Sequence, residues 1–366
     1  MNRELQIITV LGYLLLLPFL GYLLYTDDWR DALQWMIQTG LLWEFVLWQV
    51  EQRLSLNRFQ PEAPLYSNLG WGNRLTILRG LLIAMTGGFI LYPHGSSITD
   101  LLPALFYTLA AILDRIDGFV ARKTKQLTML GNELDISFDA LGLLIAPLLA
   151  ISLGTLHAAY LLLSVAYYIY RWGLNYRTRR NLTIITPPPN TVRRTLAGFQ
   201  MGLLAVLLWP IFQPSFTIML GMAFMLPVLF GFIIDWWIVC GWLNPAFILD
   251  FDQLSYQYFQ PLLRLGLILI LAIIGFEMEI ISQFAYFNLI QSVLFLLGLS
   301  LVLTGFAGRV GALLLLVWVG LYFDHIPSTI LGSSLIFTLS WLSLLGTGRF
   351  SLWQWDDLWV KRYDGA

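Results

Sequence analysis

Apolar runs of bilayer length recur from one end of this chain to the other, and no other feature narrows its possible folds so far. Runs such as "LLIAMTGGFILY" and "LGLLIAPLLAISLG" are apolar on every face. That suits helices in lipid, whereas a membrane barrel alternates apolar and polar residues in short strands. Of the 366 residues, 58% are hydrophobic and 12% charged, against about 45–50% and about 25% in soluble globular chains. The expected class is an all-α integral membrane protein. Candidate spans lie at about 6–25, 34–52, 75–93, 101–121, 134–154, 156–175, 195–212, 216–241, 259–276, 286–305, 310–323 and 329–346. The second of these carries Glu44 and Gln49 and ends in "QVEQR". It fits a helix lying in the interface as well as one that crosses. The first apolar run has no small-residue cleavage site and reads as a retained helix. Cys240 is the only cysteine, which excludes a disulfide framework. The three histidines, His94, His157 and His325, are too scattered for a histidine-rich metal site.

The positive charges give an orientation. With loops alternating sides and the stretch after 121 in the cytoplasm, sixteen Lys and Arg residues fall on the cytoplasmic side. They are Arg3, Arg53, Arg58, Arg74, Arg122, Lys123, Lys125, Arg177, Arg179, Arg180, Arg193, Arg194, Arg309, Arg349, Lys361 and Arg362. Arg30 alone falls opposite, and Arg79, Arg115, Arg171 and Arg264 lie inside spans. Such a bias marks the cytoplasmic face, and a bacterial-type cytoplasmic membrane is the expected location.

Against this apolar background, "LDRIDGFVARKTKQLTMLGNELDISFDA" places four aspartates beside membrane segments. Asp114 and Asp117 are three apart, and Asp135 and Asp139 four apart, so each pair shares one helix face. If one helix ends near 122 and the next begins near 133, both pairs meet at adjacent helix ends near the cytoplasmic face. A carboxylate at membrane depth costs about 2.5–3.5 kcal/mol on insertion scales. Divalent cations remove that cost, and all-oxygen ligands favour Mg²⁺, Mn²⁺ or Ca²⁺. Four such ligands, Asp114, Asp117, Asp135 and Asp139, can hold two ions in the arrangement used for phosphoryl displacement. Gly118 and Ala121 remove side-chain bulk beside them, Arg122 offers a fork for phosphate oxygens, and Gly131 opens the turn into the second helix.

The whole array, D-x2-DG-x2-AR-x8-G-x3-D-x3-D, resembles the signature of the CDP-alcohol phosphotransferase (phosphatidyltransferase) family of membrane enzymes. Upstream, "GNRLTILRG" is similar to that family's first core helix, with Asn73, Thr76 and Arg79 in matching places. The resemblance covers about 70–242. It implies a six-helix core, here with two extra N-terminal helices. It implies a CDP moiety bound beside Thr76, Gly118, Ala121, Arg122 and Gly131 through two Mg²⁺ or Mn²⁺ ions, with Asp139 as general base. The reaction it implies is transfer of a phosphatidyl-type group from CDP-diacylglycerol or another CDP-alcohol to a small polar or phosphorylated acceptor alcohol. CMP is released, as in phospholipid biosynthesis. Arg171, inside a span, and Arg193 and Arg194, in the basic loop "YRTRRNLTIITPPPNTVRRT", are the acceptor candidates. The Gly-Lys pair of several family members is missing from that loop.

The stretch 243–258 is polar and aromatic and reads as a boundary. From Pro261 onward the chain resembles a DoxX-like four-helix membrane module, on "LLRLGLILILAIIGFE", "LLGLSLVLTGFAGRVGALLLLVW" and "LLGTGRFSLW". The expected domains are 1–69, 70–242, the linker 243–258 and the four-helix bundle 259–366. Arg309 and Arg349 are expected to anchor helix ends, and a homodimer in membrane lipid is compatible with the pattern. Nothing points to nucleic acid. A competing reading is a transporter or channel whose aspartates bind a cation in transit. Arg122 weighs against it, because an arginine serves a diphosphate site and has no use in a cation path.

Overall fold

The structure is a computed structural model that describes residues 2–93, 98–188, 191–277, 289–326 and 328–353. Among these residues it is all helical, with no strand beyond a single bridge between Phe306 and Trp353. Four helices are long and apolar enough to cross a membrane: Arg3–Thr26, Met129–Ser152, Pro214–Val239 and Ala246–Phe276. The chain is an integral membrane protein. It divides into two compact units, residues 1–156 with 201–210, and residues 157–200 with 211–366.

In the first unit, α1 (Asn2–Thr26) and α2 (Trp29–Arg53) are joined at Asp28, whose side chain caps α2 by accepting from the Arg30 N–H at 2.8 Å. α2 buries Trp35, Trp43, Val46 and Val50 on one face. This stripe runs antiparallel along α3 (Gly70–Gly87): Trp35 lies against Gly88 and Val46 against Gly80, and the Trp35 indole N–H donates to the Met85 carbonyl at 3.2 Å. α4 (Leu102–Lys123) and α5 (Met129–Ser152) complete the group around α3. Several boundaries differ from the sequence expectation, and two of the differences trace to single residues. α3 begins five residues before 75, because Gly70 turns the chain at φ +77°. α5 begins at 129 rather than near 133, because Thr128 caps it, its hydroxyl accepting from the Gly131 N–H at 2.9 Å.

The second unit contains α6 (Leu162–Arg179) and α8 (Pro214–Val239); Gly173 lets α6 approach Trp236 on α8. α7 (Thr191–Leu207) starts in this unit and ends in the first. The expected linker 243–258 is helical from Ala246 onward. α9 (Ala246–Leu254) continues through a π turn at Ser255–Phe259 into α10 (Gln260–Glu277). Phe247, Ile248, Leu249 and Phe251 supply enough apolar residues for a helix, and the π turn absorbs the change of register. α11 (Leu289–Thr304), α12 (Gly308–Tyr322) and α13 (Thr329–Leu345) follow. α11 and α12 meet closely at Gly298 and Gly311, where a Cβ on Gly311 would lie 2.8 Å from the Gly298 carbonyl oxygen. α13 also packs on α8.

Arg309 does anchor a helix end. Its guanidinium, buried in the unit, donates to the carbonyls of Ser343 (3.1 Å), Leu344 (2.5 Å) and Leu345 (3.1 Å), the last turn of α13. Arg264 donates to the carbonyls of Thr347 (3.3 Å) and Leu303. Arg309→Ala leaves those terminal carbonyls unmatched and is expected to destabilise the second unit by about 1–3 kcal/mol. Thermal unfolding in detergent reads this out, and a variant as stable as the parent contradicts the capping role.

Candidate active site

Three helix faces meet where the aspartates lie. On α3, Gly72, Thr76 and Arg79 repeat at the spacing of one face, as do Asp114, Asp117 and Ala121 on α4 and Gly131, Asp135 and Asp139 on α5. Small residues set the separations. A Cβ on Gly72 would lie 2.8 Å from the Ala121 Cβ and 3.4 Å from the Asp117 carbonyl, so α3 and α4 touch backbone to backbone. A Cβ on Gly131 would lie 2.6 Å from Asn73 Oδ1, so α5 also rests directly on α3.

At the centre is Arg79, whose side chain is 0% exposed. Its Nη1 is ion-paired with Asp114 and lies 3.9 Å from Asp117 Oδ2. Its Nη2 lies 2.9 Å from Asp135 Oδ1 and 3.4 Å from Asp139 Oδ1, and donates to the Asp135 carbonyl at 3.2 Å. All four aspartates therefore face one guanidinium. Asp114, Asp135 and Asp139 each bring one carboxylate oxygen within 4.8 Å of the others, close enough to share a metal ion. Asp117 stands apart from that trio. It is buried, accepts from the Thr76 hydroxyl at 2.8 Å, and accepts from the Gly118 N–H at 2.6 Å.

The trio fits a divalent cation on two observations. Asp139 Oδ1 is buried and accepts no hydrogen bond. Four carboxylates against one guanidinium also leave the cluster net negative, a balance that a second cation corrects.

A second network fixes the start of α5. The Asn73 side-chain amide donates to the Leu69 carbonyl (2.8 Å), Thr128 Oγ1 (3.1 Å) and Asn57 Oδ1 (3.2 Å), while the Asn57 amide donates to the Asn68 carbonyl at 2.8 Å. The Met129 N–H donates to the Arg58 carbonyl at 2.8 Å. Glu4 of α1 binds the same end of α3 through Arg74 (2.7 Å) and the Leu69 N–H (3.0 Å).

The sequence-derived residues divide accordingly. Asp114, Asp135 and Asp139 come together, with Asp117 and Thr76 bonded beside them. Ala121, expected to leave room for a nucleotide, lies against Gly72 of α3, and Gly131, expected to open the turn into α5, lies against Asn73 of α3. Gly118 keeps an open side toward the exposed Arg122, whose Nη1 would lie 3.4 Å from a Cβ there. Arg171 is exposed on α6 and bonded to Tyr167 of its own helix at 3.2 Å, so the burial that singled it out is not found. Arg193 and Arg194 lie in the first turn of α7, and their side chains fall outside the described residues. Arg79 was assigned no role from the sequence, although an arginine within an apolar span was the available signal. The contribution of Asn57 had no such signal, since its partners lie at 68 and 73 across a loop.

Carboxylates from adjacent membrane helices, gathered where they could hold a metal ion, suit both metal-dependent membrane enzymes and cation pathways. Residues 71–233 match the family model described as CDP-alcohol phosphatidyltransferase, so this segment of the chain is similar to the enzymes of that family. No curated protein and no solved structure matches it.

Gly131→Ala is expected to push α5 off α3, costing about 1–3 kcal/mol of stability and much of the activity. Combined with Asn73→Ala, which removes the clashing oxygen, its further cost should fall below its cost alone, as contacting residues are not additive. Thermal unfolding of the four-member cycle checks this; strict additivity contradicts the contact.

Proposed function

We propose that this protein transfers a phosphatidyl group from CDP-diacylglycerol, or the phosphoalcohol of a related CDP-alcohol, to a small polar or phosphorylated alcohol, releasing CMP. The observation that carries the reading is the meeting of Asp114, Asp135 and Asp139 within 4.8 Å, inside the segment that matches the family.

Asp114, Asp135 and Asp139, with Asp117 beside them, would hold Mg²⁺ or Mn²⁺, two ions on the family pattern. When bound, such ions supply charge stabilisation for the diphosphate and the departing CMP. The chain's own residues do the rest. Asp139 takes the proton of the acceptor hydroxyl: its side chain is 38% exposed, so a substrate can reach it, while Oδ1 stays buried against Arg79. Thr76 and the Gly118 N–H hold the Asp117 carboxylate in one orientation. Gly118 and the exposed Arg122 offer the diphosphate an open backbone and a guanidinium fork. Ala121 and Gly131 support the CDP site by setting helix separations. Arg171, Arg193 and Arg194 remain the acceptor candidates as cations able to meet a phosphorylated alcohol.

The positive-inside count supports a site facing the cytoplasm, and we place the protein in a bacterial-type cytoplasmic membrane. We retain 1–69, 70–242, 243–258 and 259–366 as the functional division. The six helices of 70–242 are the transferase core, and the last segment is a DoxX-like accessory module that contacts lipid or a second copy of the chain.

The test incubates membranes containing the protein with labelled CDP-diacylglycerol and a panel of acceptor alcohols, following CMP release and the lipid product. CMP formed with no dependence on any acceptor contradicts the transfer reading. Asp139→Asn is expected to reduce turnover by at least about 100-fold while CDP-lipid binding survives. Near-normal turnover at saturating substrate excludes Asp139 as the base. Asp117→Asn should weaken metal and nucleotide binding together.

A further inference from the structure

We infer that Arg79 is a resident cation that holds the carboxylates in place of a divalent ion, and that loading the ion requires Arg79 to give up part of its grip. The inference rests on the reading of the aspartates as a metal site and concerns how that site is controlled.

The guanidinium contacts the same three carboxylates whose oxygens converge. Nη1 pairs with Asp114, and Nη2 lies 2.9 Å from Asp135 Oδ1 and 3.4 Å from Asp139 Oδ1. The Asp114 and Asp135 oxygens that accept hydrogen bonds from the guanidinium cannot present the same lone pairs to a metal at about 2.0–2.6 Å. Arg79 cannot withdraw by losing a proton, because guanidinium stays charged in proteins. Its side chain is wholly buried, and its Nε has no hydrogen-bond partner. A group placed only to stabilise the fold would be expected to satisfy that donor. The three carboxylates differ in how firmly they are held. Asp135 and Asp139 have side chains 47% and 38% exposed, against 20% for Asp114. An arriving cation therefore reaches Asp135 and Asp139 on α5 first, and these are the contacts Arg79 must share. Without Arg79, four partly buried carboxylates on three touching helices would repel one another. With it, the ion-free site keeps its shape at the expense of some metal affinity.

This differs in sign from an ordinary structural ion pair. If Arg79 merely aligned the carboxylates, Arg79→Gln would scatter them and weaken metal binding. If Arg79 competes with the ion, the same change strengthens it. The experiment measures Mn²⁺ binding by the electron paramagnetic resonance signal of the free ion, with the full chain in detergent, alongside thermal unfolding with and without Mn²⁺. Arg79→Gln is expected to bind Mn²⁺ roughly tenfold or more tightly than the parent, since one positive charge a few ångströms away has gone. Its ion-free unfolding temperature should drop below the parent's and recover at saturating Mn²⁺. Arg79→Lys keeps the charge and should stay within about threefold of the parent. Equal or weaker Mn²⁺ binding by Arg79→Gln overturns the inference while leaving the metal site standing. Should that variant fail to fold without the ion, it is produced with Mn²⁺ throughout. A chain that stays unfolded even then shows that no ion takes the place of Arg79. Absence of Mn²⁺ binding by both parent and variant overturns the metal reading itself.

Discussion

Burying charge among apolar helices is costly unless every charge meets its opposite, and the first unit is organised around one solution to that problem. Arg79 and the four aspartates come from three helices, so each helix must lie close enough for its charges to reach the others. The contacts of Gly72 with Ala121 and of Gly131 with Asn73 are the mechanical side of the same requirement. A methyl group added at either point would move a carboxylate away from the guanidinium. Packing and electrostatics here are one constraint, because lipid offers helices little incentive to associate beyond close fit and polar contacts.

Other arginines of the chain show that the same side chain can answer a different need. Arg309 and Arg264 meet backbone carbonyls at helix ends, where the partial negative charge of the helix terminus accumulates. No carboxylate is involved in those bonds, and nothing about them points to a substrate. Arg171 illustrates a third case, exposed on its helix and resting on Tyr167. Position inside an apolar run does not separate these roles; the partner does.

That distinction explains what could be read from the sequence. Helices were legible because apolar runs of bilayer length admit little else, while several boundaries slipped, two of them, at Gly70 and Thr128, where one residue decides the start. The aspartates were legible because each pair sits within one turn or so of a helix, where spacing alone fixes the face. Arg79 was not, because its carboxylate partners lie 35 and 56 residues along the chain. Ala121 and Gly131 were recognised as small, but not for what their smallness admits, since a neighbouring backbone and a nucleotide leave the same trace in a sequence. The stretch 243–258 looked like a linker because polar and aromatic residues interrupt the apolar pattern. The chain carries the helix through that interruption with a π turn, which no periodicity of 3.6 anticipates.

The Asn57 amide lies fourteen residues before the matched segment begins, yet it belongs to the hydrogen-bonded node that holds Thr128 and the first turn of α5. Glu4 reaches the same end of α3 from farther upstream. The edge of sequence similarity and the edge of physical self-sufficiency are therefore different places. A chimera that grafted 71–233 onto a foreign leader would carry every aspartate and leave behind part of the joinery that keeps their helices in register. The supporting contacts of the aspartate helices therefore begin upstream of the matched segment, at Glu4 and Asn57.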